Sequence, residues 1–124
     1  MGDFDEEAFF DRFNTVWQTH DLDGIAEMFT DDAIFETSYG TEPFGKRAVG
    51  KAAAVALAKE VFTRMPDVHF EEFRRLATPE FAAVESVMTG TLDGSGPFEL
   101  HIVDLLTIRD GKVAAKRTYR KVPA

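Results

Sequence analysis

DVHFEEFRRLATPEFAAVESVMTGTLDGSGPFELHIVDLLTIRDGKVAAKRTYRK, residues 67–121, is the stretch on which the fold turns. Four segments of it, Asp67–Ala77, Phe81–Thr91, Phe98–Ile108 and Val113–Lys121, read as strands. They are separated by Thr-Pro-Glu, Asp-Gly-Ser-Gly-Pro and Arg-Asp-Gly-Lys. The last contains Asp-Gly, a strong signal for a tight hairpin. Three such turns joining four strands predict an antiparallel meander, with bulges near Glu71-Glu72. Upstream the period changes. Phe9, Phe13, Val16, Trp17 and His20 fall at helical spacing, with Asp3 or Asp5 available as an N-cap. Leu22–Phe29 reads as a short second helix, ended by Thr30-Asp31-Asp32, and Ala33–Thr37 as a short strand. Residues 38–46, SYGTEPFGK, carry two glycines and a proline and form a loop. Arg47–Arg64 reads as an alanine-rich helix burying Val49, Ala53, Ala56, Leu57 and Val61, stopped by Met65-Pro66. One curved sheet covered on one face by three helices satisfies every apolar stripe, so the class is α+β.

Composition narrows the function classes. A chain of 124 residues, 44% hydrophobic and 29% charged, predicts one domain. It has no cysteine, hence no disulfide, thiolate nucleophile or Cys-ligated zinc, and its histidines (His20, His69, His101) are scattered. No apolar run reaches the roughly 20 residues of a membrane span. The opening MGDFDEEAFFD is acidic where a signal peptide is basic and then apolar. A soluble, cytoplasmic domain is expected. The net charge of −8 argues against nucleic acid. That charge is uneven: residues 1–45 hold twelve acids and Arg12, whereas residues 109–124 hold six bases against Asp110. Acidic helices lying against a basic strand explain this better than a surface for an anionic partner.

The strand Glu99–Ile108 is the most informative for chemistry. By alternation, Leu100, Ile102, Asp104, Leu106 and Ile108 share one face. Asp104 is therefore a lone carboxylate among four aliphatic side chains. Desolvation favours a neutral, proton-donating acid there unless a cation or hydrogen bonds compensate. The bland alternative is a structural aspartate satisfied by a neighbour. The opposite face, His101, Val103, Leu105 and Thr107, also needs cover, which a second subunit would supply. Glu36 and Thr37 end the first strand where a pocket rim would lie; a second carboxylate there is either a base or simply solvated. Trp17 and Tyr39 line a pocket or fill the core. His101 lies on the face opposite Asp104, His20 reads as a helix-end cap, and His69 as exposed. On the last strand Lys116, Thr118 and Arg120 share one face and Val113, Ala115, Arg117 and Tyr119 the other. Which face turns inward is open, and a bulge would exchange them. Inward Lys116 or Arg120 would pair with Asp104. Nucleotide and metal motifs are lacking.

Asp21-Leu22-Asp23-Gly24-Ile25, then Asp31-Asp32-Ala33, then Gly40-Thr41-Glu42-Pro43 resemble the nuclear-transport-factor-2-like superfamily, in its ketosteroid isomerase and SnoaL-like polyketide cyclase branch. The resemblance spans nearly the whole chain, including the last hairpin, and implies one cone-shaped domain over residues 1–124. Carried over, the isomerases' oxyanion-hole aspartate falls on Asp104. Their oxyanion-hole tyrosine falls on Phe13, which has no hydroxyl, and their catalytic base on Thr37, beside Glu36. Steroid isomerisation is therefore not expected. In the SnoaL-like cyclases an acid/base aspartate sits in the sheet, where Asp104 stands; their assisting histidine has no match. The same resemblance implies that Val84, Ser86 and Met88 line a pocket and that Lys116, Thr118 and Arg120 turn inward.

The resulting expectation is acid/base chemistry (isomerase, cyclase or lyase) on a small, mostly apolar carbonyl compound. Asp104 is the catalytic residue, with Phe13, Trp17, Glu36, Tyr39, Val84, Ser86, Met88, Lys116 and Arg120 around the substrate. No cofactor or metal is needed, since a positioned acid supplies about 10²–10⁴-fold by itself. The alternative is a non-catalytic small-molecule-binding module. The expected partners are a small apolar ligand and a second copy of the chain, docked through the sheet face at His101, Val103 and Leu105.

Overall fold

Asp5 starts the first helix in a computed structural model that describes residues 4–92 and 94–122. Its carboxylate accepts the Ala8 N–H at 3.0 Å and caps α1 (Glu6–Gln18). Asp3, the other candidate cap, lies outside the described residues. Phe9, Phe10, Phe13, Val16 and Trp17 form the buried stripe of α1, as the helical period requires. His20 closes this helix through its backbone. Just past Thr19 it takes φ 56, its N–H donates to the Trp17 carbonyl at 3.4 Å and the Asp21 N–H donates to that of Val16 at 2.8 Å. Its ring stacks on Phe62 with centroids 4.0 Å apart. Asp21 accepts the Gly24 N–H and caps α2 (Leu22–Met28).

The chain runs from α2 directly into β1 (Phe29–Glu36), so Thr30-Asp31-Asp32 does not separate helix from strand as its sequence suggests. Aspartate is a poor strand former. Here both aspartates are exposed, and Asp32 accepts from Thr30 at 2.8 Å and from Arg109 at 2.5 Å. The expected long helix from Arg47 is also shorter. Residues Arg47–Val49 form β2, antiparallel to Ile34–Glu36, and Gly50 turns the chain at φ 93 into α3 (Lys51–Arg64). The stripe of α3 rotates accordingly: Ala54, Leu57, Ala58, Val61 and Phe62 are buried, while Ala53, Ala56 and Val49 are exposed. Alanine on every side of a helix leaves the sequence without a way to choose the face.

The meander forms as expected from β3 (His69–Ala77), β4 (Phe81–Leu92), β5 (Gly96–Arg109) and β6 (Lys112–Arg120). The six strands lie in the order β2-β1-β6-β5-β4-β3. The β1–β6 pair is parallel and the rest antiparallel, giving a mixed, curved, unclosed sheet with three helices packed on it. Two bulges shape it. One interrupts the β3–β4 register between Glu72 and Arg74; the other breaks the β5–β6 register, where Thr107 faces Ala115 but Ile108 faces Val113. The acids of the first part of the chain that meet the basic last part come from β1 and not from the helices: Asp32 pairs with Arg109 and Glu36 with Arg117. Among the described residues no helix is long and apolar enough to cross a membrane.

Candidate active site

Alternation along β5 points Ile102, Asp104, Leu106 and Ile108 toward the helices, and all four are buried. Register places Val84 of β4 and Thr118 of β6 on either side of Asp104. Thr118 Oγ1 donates to Asp104 Oδ1 at 2.5 Å, and Lys116 Nζ donates to the same oxygen at 3.2 Å and to Thr118 Oγ1 at 3.1 Å. Asp104 and Lys116 are each only 6% exposed. The lone carboxylate inferred from β5 is thus half of a buried ion pair. The cause lies in the neighbouring strand. The bulge in β6 inverts its alternation after Val113, so Lys116 and Thr118 join Val113 on the helix-covered side. The ammonium also stands 4.4 Å from the centroid of Trp17 and 4.7 Å from that of Phe35. Ring faces and two acceptors together offset the cost of removing this charge from water.

Two cavities meet at this cluster. The larger, about 290 Å³, lies among Trp17, Phe35, Tyr39, Met88, Phe98 and Lys116, and reaches Thr118 and Arg120. The smaller, about 20 Å³, has Asp104, Phe13, Val84 and Ser86 in its wall. Trp17, Phe70 and Lys116 border both. Asp104 therefore does not form the floor of the large cavity; Lys116 and Thr118 stand between.

Glu36 lines neither cavity. Its neighbour Phe35 faces the large one, and strand alternation turns Glu36 the other way. It is neither a rim group nor solvated: it is 5% exposed and pairs with Arg47 at 2.7 Å and Arg117 at 3.4 Å. Tyr39 reaches the large cavity because the loop after β1 is tied at its base. Thr37 Oγ1 donates to the Tyr39 carbonyl at 2.8 Å, and Lys46 N–H donates to that carbonyl at 2.7 Å. Gly45 (φ +80) closes the loop so tightly that a Cβ there would come 2.1 Å from the Thr37 carbonyl oxygen. Arg64, from the end of α3, covers the Tyr39 ring at 4.3 Å. The Tyr39 hydroxyl is buried without a partner, the only such side-chain atom among the described residues.

Sequence reasoning missed Arg64, Met65, Phe70, Phe98 and Leu100, all of which line the large cavity. Phe70 was findable, since residues 70 and 72 share the inward side of β3 ahead of its bulge. Gln18 grips it by the backbone, donating to the Phe70 carbonyl and accepting the Phe70 N–H. Arg64 and Phe98 sit at element ends, where periodicity is silent. Among the described residues no group of three or more His, Cys, Asp or Glu is placed to hold a metal.

The profile of the SnoaL-like domain matches residues 10–116. No curated protein matches the chain. Among solved structures, a protein with a ketosteroid isomerase-like fold from Catenulispora acidiphila, in complex with trimethylamine, superposes with a TM-score of 0.77 at 15% identity, covering 90% of this chain and 83% of that one. An NTF2-like protein from Anabaena variabilis gives 0.75 at 18% identity, over 94% and 87% of the two chains. IdmH of Streptomyces antibioticus, a candidate polyketide cyclase, gives 0.73 at 17%, over 93% and 91%. At such identities the likeness is one of fold.

Proposed function

The chain belongs to the SnoaL-like domain family, and from that premise we propose that it carries out cofactor-independent acid/base chemistry on a small, mostly apolar carbonyl compound. The observation that carries this reading is the buried Asp104–Thr118–Lys116 cluster at the wall of an otherwise largely apolar cavity. Lys116 Nζ is the donor that steadies negative charge developing on the substrate carbonyl oxygen. Such a fixed donor gains strength where water is excluded. Asp104 is the proton store. The Thr118 hydroxyl, hydrogen-bonded to Asp104 Oδ1, takes a proton from the carbon beside the carbonyl as it passes its own to the carboxylate. The reverse transfer to another atom completes an isomerisation, a ring closure or an elimination. Trp17, Phe35 and Met88 supply the apolar bed.

The first step is general to all three outcomes and can be assayed without knowing the substrate. In deuterium oxide the protein is expected to speed deuterium uptake beside the carbonyl of cyclohexanone, acetophenone or α-tetralone, followed by proton NMR. Asp104→Asn is expected to remove about 10²–10⁴-fold of that rate, with ketone binding retained. Ketone binding with no exchange in the unaltered protein would favour a second reading, a non-catalytic binding module. That alternative draws on the absence of Asp104 from the wall of the large cavity.

A further inference from the structure

Arginines in this protein are almost all spoken for. Of the eight, Arg12 pairs with Glu27, Arg47 and Arg117 with Glu36, Arg74 with Glu85, Arg75 with Glu7 and Glu72, and Arg109 with Asp32. The two without a carboxylate partner among the described residues are Arg64 and Arg120, and both line the large cavity. They come from unrelated elements, the end of α3 and the end of β6. Both are exposed, so they stand where the cavity opens to solvent. No aspartate or glutamate lines the cavity among the described residues. In a chain of net charge −8 this is the reverse of what composition alone would place there.

We propose that the ligand is an apolar monocarboxylate, its carboxylate held at the cavity mouth by Arg64 and Arg120 and its apolar body directed toward Trp17 and Lys116. The inner cation does not compete for that charge, because Asp104 already neutralises Lys116. Among the described residues the mouth therefore carries two guanidiniums without a carboxylate partner. A cleft of one sign with low-dielectric walls concentrates ions of the other sign, and guanidinium suits a carboxylate's two oxygens. The Tyr39 hydroxyl points to the same chemistry. It is buried without a partner, on the ring that Arg64 covers, and it has a proton to donate to an acceptor. Carboxylate and carbonyl oxygens are acceptors; an amine would compete as a donor. This deepens the proposed function by naming the substrate class, an oxo acid, and rests on that reading only for the location of the site.

Trp17 is the sole tryptophan and borders the cavity, so its fluorescence reports occupancy directly. The probes are phenylbutyrate and phenylbutyramide, alike in size and differing in charge. The acid is expected to bind at least about tenfold tighter than the amide at low salt, in line with a charge-assisted bidentate contact, and the preference is expected to shrink in high salt. Arg64→Gln and Arg120→Gln are each expected to weaken the acid more than the amide and so cut the preference, and Arg64→Lys and Arg120→Lys to retain part of it. Equal affinity for the two probes would overturn the proposal. So would no quenching by either, or a preference that survives in the Arg64→Gln/Arg120→Gln double variant. The readout is equilibrium binding, so it fails or holds separately from the catalytic reading. An acid preference in a protein that exchanges no protons would retain the ligand class and discard the chemistry.

Discussion

Lys116 and Asp104 form a pair whose halves depend on each other. Both side chains are 8% exposed and their charges are 3.2 Å apart. Removing one partner of a buried pair leaves an uncompensated charge, at about 3–5 kcal/mol, whereas replacing both is often close to neutral. Lys116→Met is therefore expected to lower the unfolding free energy by about that amount in urea titrations at neutral pH. Asp104→Asn combined with Lys116→Met should recover most of the loss, since the introduced amide oxygen can still accept from Thr118. Equal losses in the single and double variants would mean that Lys116 contributes through packing against Trp17 and Phe35 rather than through the pair. Phe13 belongs to this scale as well. Its ring stacks on Phe9 and lies tilted against Trp17 in the first helix, both at 6.1 Å between centroids.

At the scale of elements, one carboxylate ties the start of β3 to the end of β4. Asp67, just before β3, accepts the Thr91 N–H at 2.9 Å and the Thr91 hydroxyl at 2.8 Å, clasping the far end of β4. The Thr91 backbone N–H first, and its hydroxyl second, hold the Asp67 carboxyl below the usual aspartate range. A carboxyl depressed in the folded state contributes stability above its unfolded value of about 3.9 and loses it as pH falls through the lower folded value. Asp67→Ala is expected to melt at a lower temperature than the parent near neutral pH. The two melting curves should converge as the pH drops below about 3.9. A gap that persists undiminished in acid would show that the clasp acts by neutral hydrogen bonding or by packing alone. The β6 bulge has a larger reach: a single irregularity after Val113 decides that Lys116 rather than Arg117 enters the interior.

For the whole molecule, helices cover one side of the sheet, and the other side keeps apolar groups in solvent. Phe73, Leu76, Phe81 and Tyr119 are between 47% and 65% exposed. Val103 lies in register with Tyr119, and Phe73 lies 6.2 Å from the His101 ring. Contiguous exposed apolar surface of several hundred Å² is uncommon on a monomer and marks a contact site. A second copy of the chain, docked through His101, Val103 and Leu105, is the expected occupant. Sedimentation equilibrium at micromolar concentration should give twice the chain mass, and Phe73→Asp should return it to the single value. A parent protein that sediments only as a monomer would remove the dimer.

What the sequence by itself determined is what depends on neighbours along the chain. Turn residues and period-2 alternation placed the four-strand meander, and helical spacing placed the buried stripe of α1, because these signals act within a few residues. Alternation also turned Asp104 inward. The tertiary structure alone decided what depends on segments that meet across the fold. It drew Arg47–Val49 out of the expected helix and into pairing with β1, and laid β1 parallel to β6. It paired Glu36 with Arg47 and Arg117 on the side away from the cavity. Through the β6 bulge it gave Asp104 a cation that its own strand does not contain. A strand's pattern encodes which face a residue takes; the identity of its partner is set by register with another strand, which one extra residue shifts.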